Sequence, residues 1–136
     1  MHLHIEKAIK NCKFLEAIET HLPDDFFEWK ITVVFYIAVH SVRALLKAKY
    51  KTYVGFSHKA IDNVIKSDGT YPFPLKQYRA YQALYVYSRD ARYKVYDDTF
   101  GFNAKLIVIK LAESKDQLAV LEDYLKKEGI LLSKKK

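Results

Sequence analysis

Apolar residues recur through this chain at spacings of three and four, the period of an amphipathic helix, and nowhere in a sustained alternation of two. Leu3, Ile5, Ala8, Ile9, Cys12, Leu15, Ile18 and Leu22 set out a first helix that ends at Pro23. Asp24 or Asp25 is then placed to cap a second helix running to about Tyr50. Its stretch 29–46, WKITVVFYIAVHSVRALL, is apolar around nearly the whole circumference, so this helix is expected at the centre with others around it. The β-branched cluster at 31–34 favours strand by propensity, but the continuous helical context outweighs it.

The connectors follow from the breakers. Residues 51–56 form a link, Ser57 is an N-cap for a short helix over 58–66, and Ser67, Asp68 and Gly69 close it. Tyr71-Pro-Phe-Pro74 must be extended, because each proline turns its predecessor away from helix, and Pro74 can open a fourth helix through about Tyr96. After a loop over 97–102, a last helix runs from about Asn103 to Glu128 and stops at Gly129. Its residues Ile107, Leu111, Ser114, Leu118, Leu121 and Leu125 form a coiled-coil-like seam with Ser114 as the weak point, which makes this helix a candidate dimer seam in a purely structural scaffold. The expected fold is all-α, an up-and-down bundle of four to five helices. It forms one domain over 1–128, with a basic tail over 129–136.

A chain of 136 residues, half of them hydrophobic, suits one core and leaves no room for a second domain. The single Cys12 has no partner for a disulfide or a zinc knuckle, and the first residues lack the pattern of a secretory signal. Both favour a reducing compartment, the cytoplasm. The longest apolar run, 31–42, is shorter than the roughly 20 residues a bilayer span takes and is broken by Thr32 and His40, so no membrane association is expected. Net charge is +7, which favours an anionic partner such as RNA or a nucleotide. No glycine-rich phosphate loop, GxSxG elbow or HExxH helix occurs, and no cofactor or metal is expected. His2, His4 and His21 look incidental.

Candidate chemistry lies on two helix faces. Tyr36, His40, Arg43 and Lys47 stack along the second helix, and a histidine beside an arginine is what metal-free RNA cleavage needs. A hydrogen-bonded core histidine, with Arg43 reaching over apolar neighbours to water, is the favoured alternative. On the fourth helix Tyr78, Tyr81, Tyr85, Arg89, Arg92 and Tyr96 make an aromatic and basic stripe able to bind single-stranded RNA, because rings stack on bases and guanidinium groups pair with phosphate. The alternative is tyrosines packed into the bundle rim and arginines bonded to Asp90, Asp97 or Asp98. His58 opens the third helix near the mouth of this groove.

Several motifs appear in order: Ala8-x-x-Asn11-x-x-Phe14-Leu15, the run from Asp25 to Trp29, FY-x-A-x-H over 35–40, Ser57-His58, the tyrosine-led segment 78–84 and SRDARY over 88–93. Across about residues 5–100 they resemble a bacterial and archaeal branch of the HEPN superfamily. The resemblance implies a bundle of four or five helices, a homodimer, and association with a nucleotidyltransferase-type partner or with toxin–antitoxin and other defence systems. HEPN ribonucleases carry an Arg-x(4–6)-His motif, with the active site assembled across the dimer. This chain lacks it: the windows after Arg89 and Arg92 where histidine belongs hold Lys94, Val95 and Tyr96, then Asp97, Asp98 and Thr99. The expectation is therefore a non-catalytic dimeric module that binds RNA, nucleotide or a protein partner. The alternative is a divergent metal-independent endoribonuclease using His40 or His58 with Arg89 and Arg92.

Overall fold

The three- and four-residue spacings do become helices. The structure, a computed structural model, describes residues 3–51, 57–93 and 104–130, with side chains to 92 in the second stretch and from 106 in the third. The helices are α1 (Leu3–His21), α2 (Phe27–Tyr50), α3 (His58–Ile65), α4 (Leu75–Tyr93) and α5 (Ala104–Lys127). Among the described residues there is no strand, and the chain is an all-α bundle. The links at 52–56 and 97–102, the fourth helix beyond 93 and the lysine tail lie outside the described residues.

Side-chain contacts give the directions. His4 meets His40 and Lys30 meets Leu22, so α1 and α2 form an antiparallel pair. Tyr36 meets Arg92 near the end of α4 and Phe35 meets Tyr85, so α4 runs against α2. Lys49 pairs with Glu128, so α5 runs with α2 and against α4. The four long helices thus go up and down, and α3 packs against α2 and α4. As its all-round apolarity predicts, α2 packs against every other helix. It is long and apolar enough to cross a membrane, but 78% of its most apolar window is buried inside the bundle.

The seam of α5 is spent inside the chain. Ile107, Leu111, Leu118, Leu121 and Leu125 are buried in the core, and the Ser114 hydroxyl donates to the Lys110 carbonyl at 2.8 Å. Within one chain these side chains already cover α2 and α4, which is the burial a dimer seam was expected to supply.

Caps follow the breakers with one exception. Ser57 Oγ accepts the Ala60 N–H at 3.1 Å, as an N-cap should. Gly129 has φ 94°, the Gly129 N–H donates to Lys126 O and the Ile130 N–H to Leu125 O, which is a Schellman closure of α5. Gly69 lets the chain fold back on the end of α3, where a Cβ would overlap the Val64 carbonyl oxygen. The exception is α2. Asp25 Oδ1 accepts from the Phe26 N–H instead of a helix amide, and Phe26, left-handed at φ 59°, takes the cap position without a side-chain bond. The end of α1 is closed from outside: buried Lys30 reaches back from α2 to donate to the carbonyls of Leu22 at 2.6 Å and Pro23 at 3.3 Å. Cys12 is partly buried, and burial together with Glu122 and Glu16 pushes its thiol up to about 11, which keeps it protonated.

Candidate functional site

The N-terminus of α3 delivers His58 to the α2–α4 groove. Its ring lies flat on Tyr85, centroids 3.6 Å apart and planes 4° apart, while Nδ1 is 3.3 Å from the Tyr81 hydroxyl. Phe35 of α2 backs the group, with ring centroids 6.0 Å from His58, 5.9 Å from Tyr81 and 5.8 Å from Tyr85. This apolar backing lowers the His58 pKa below its ordinary value, against a weaker upward pull from Asp62. At neutral pH the imidazole is uncharged. Asp62 is itself held by Tyr78, whose hydroxyl donates to Oδ1 at 2.8 Å, and Gln82 Nε2 donates to the Tyr78 oxygen at 2.9 Å.

One turn beyond Tyr85, Arg89 puts its guanidinium carbon 5.8 Å from the Tyr85 ring centre, with Nε 3.6 Å from Asp90 Oδ1. Imidazole, phenol ring and guanidinium therefore cluster about Tyr85. A further turn on, Arg92 Nη1 donates to the Tyr36 hydroxyl across the groove at 3.4 Å. Tyr36 is 43% exposed and Trp29, two turns earlier on α2, is 58% exposed. Between them and the end of α4 opens a cavity of about 210 Å³ lined by Glu28, Trp29, Thr32, Ala91 and Arg92. From Trp29 to His58 the surface alternates aromatic rings with basic groups.

Not every candidate joins this surface. Tyr81 is fully buried, and burial drives its phenol well above the usual range, so it supports His58 and offers no face to a base. Arg43 is 6% exposed, so little of it is open to water, and its charge acts on Tyr81 and His40. His40 meets α1, its Nδ1 3.2 Å from the Nδ1 of His4 and the two rings stacked with centroids 5.4 Å apart. Burial first, then the charges of His4, Arg43 and Lys7, hold the His40 pKa down at about 4. His4, read from the sequence as incidental, is thus the partner of a half-buried His40. Tyr96 lies outside the described residues. Among those described, no cluster of three or more His, Cys, Asp or Glu side chains could hold a metal.

Trp29 is the residue the sequence reading passed over. Counting the Tyr36, His40, Arg43 stripe two turns backward lands on it, and that count was the available signal. Comparison of the chain with protein-family models, with curated proteins and with solved structures finds no match.

Proposed function

We propose that this chain is a non-catalytic, HEPN-like module that holds single-stranded RNA across the α2–α4 groove, working in the cytoplasm as a homodimer. The observation that carries this reading is the cluster of His58, Tyr85 and Arg89, continued by Arg92, Tyr36 and Trp29. Exposed rings stack on unpaired bases whatever their sequence, guanidinium groups pair with phosphate, and the net charge of +7 favours the encounter. Filter retention of single-stranded RNA at two salt concentrations tests it. Retention that falls steeply with salt is expected, and no salt-sensitive retention counts against the reading.

Ribonuclease activity is the second reading, favoured by one contact. The His58 imidazole and the Arg89 guanidinium share Tyr85, so a proton acceptor and a phosphate clamp are neighbours. Cleavage by acid and base also needs a proton donor. His40, the other candidate, is paired with His4 and stays unprotonated at neutral pH. We therefore favour binding. Incubation with total cellular RNA, beside a His40→Ala, His58→Ala double variant, separates the two: fragments that disappear in the variant support the nuclease, and intact RNA in both supports the binding module.

A further inference from the structure

The outward sides of α4 and α5 carry charges that the chain does not use on itself. At the start of α4, Lys76 and Arg79 stand exposed one turn apart on the rim of an open cleft of about 610 Å³, floored by Ala80, Ala83 and Val120. On α5, Asp116 and Asp123 are exposed two turns apart on one side of the helix, with Val120 between them. Among the described residues these four side chains make no ion pair and no side-chain hydrogen bond. Other charges of α5 are matched inside the chain: Lys110 with Glu113, Lys115 with Glu19, and Glu128 with Lys49. A basic patch and an acidic patch therefore border one groove, and each is the complement of the other.

Their positions decide how two copies can meet. The helices are antiparallel, and the cleft brings Arg79 and Ala83 to the level of Val120 and Gln117, so Lys76 stands level with Asp123. A two-fold axis lying in this face has two simple orientations. Set across the helices, it lays α4 on α4 and brings cations against cations. Set along them, it lays α4 of each copy on α5 of the other at the same level. Arg79 then meets the partner's Val120, between the partner's Asp116 and the partner's Asp123, and Lys76 meets the partner's Asp123. The contact is isologous, so every pair forms twice. Val86 and Ile109, both exposed, lie close to the level at which Lys110 meets Tyr87, and the same operation turns them toward each other. Ion pairs at such a surface add little affinity but select the partner and its register.

We propose that a second copy of this chain docks on the α4–α5 face about a two-fold axis parallel to the helices, with Lys76 and Arg79 of each copy against Asp116 and Asp123 of the other. The proposal rests on the homodimer of the proposed function and gives it a surface. Tyr85 and Arg92 meet α2 on the other flank of α4, so the α2–α4 groove stays open in each copy.

Sedimentation equilibrium of the full chain over a range of concentrations, at low and high salt, tests the surface. A dimer that weakens with salt is expected. Lys76→Glu, Arg79→Glu leaves two acidic patches, and Asp116→Lys, Asp123→Lys leaves two basic ones. Each double variant should lose dimer affinity by on the order of tenfold or more, because like charges then face each other. An equimolar mixture of the two should dimerise again, since the acidic α4 and α5 of one variant face the basic α5 and α4 of the other. Circular dichroism checks that both variants keep their helices, and recovery in the mixture itself requires folded chains. A dimer retained by both variants overturns this surface and leaves the homodimer standing. An unmodified chain that is monomeric at every concentration overturns both. Variants that stay monomeric when mixed overturn the pairing of α4 with the partner's α5. A monomer that binds a labelled polyglutamate peptide, and loses it in Lys76→Glu, Arg79→Glu, assigns the face to an acidic partner and overturns the second copy.

Discussion

The His58 imidazole rests face to face on the Tyr85 ring at 3.6 Å, and this stack joins the start of the short helix α3 to the long helix carrying both candidate arginines. Loss of the Tyr85 ring should therefore be felt at His58 before it is felt elsewhere. In Tyr85→Ala the imidazole gains water on one face, and its pKa should rise toward the ordinary value because burial is the leading cause of its depression. Stability should fall by about 2 kcal/mol, for a half-buried ring that loses stacking and area. Tyr85→Phe, which keeps the stack, should change neither. Proton NMR titration of the His58 ring together with a urea midpoint reads both, and an unmoved pKa in Tyr85→Ala would contradict the stacked geometry.

The His4–His40 pair makes stability depend on acid. His40 has a folded pKa of about 4, below the 6.5 of an exposed histidine. Between those values the unfolded chain binds the extra proton, so stability is full above about pH 6.5 and is lost progressively as pH falls toward 4. The ring is only half-buried, and after discounting for solvent screening the loss is about 1–2 kcal/mol. Urea midpoints measured from pH 7 to pH 4 should decline. In His40→Leu the His40 share of that slope should vanish, and an identical slope in the variant would mean that other groups carry it.

Lys30 closes α1 from the side. Lys30→Met leaves the Leu22 and Pro23 carbonyls without their ammonium donor but also removes the cost of a buried charge. Water can reach both exposed residues, so the net loss should be about 1–2 kcal/mol, read as a lower thermal midpoint with the same helical content. A midpoint equal to or above that of the unmodified chain would show that the buried charge costs as much as its bonds return.

Leu121→Asp tests where the α5 seam is used. Leu121 is fully buried between helices of its own chain, so a carboxylate there should cost more than about 4 kcal/mol and abolish the cooperative helical melt. A folded monomer replacing a dimer would instead return the seam to a partner.

The elements were legible wherever a local rule decides them. Pro23, Ser57, Pro74 and Gly129 mark boundaries through chemistry confined to a few residues, and α2 announces its central place by apolarity on every side. What stayed hidden depends on contacts distant in sequence. Lys30 stands in the segment expected at the centre, and only the end of another helix beside it accounts for a buried lysine there. His4 gains meaning only from His40, 36 residues away. Trp29 disappears into an all-round apolar segment, because such a pattern cannot reveal which side its neighbours leave open. The stripe on α4 was found by spacing, but spacing could not separate Tyr81, sealed in the core, from Tyr85, which shares the groove with His58 and Arg89.

Under the proposed function the α2–α4 groove binds single-stranded RNA through Arg89 and Arg92. Fluorescence anisotropy of a labelled single-stranded RNA, titrated with the unmodified chain and with Arg89→Gln, Arg92→Gln across a salt series, measures it directly. Salt-sensitive binding by the unmodified chain is expected, with weaker binding by the double variant and a shallower salt dependence, the slope reduced by about 1.4 for two lost phosphate contacts on a single strand. Equal affinity and equal slope in the two proteins would contradict it.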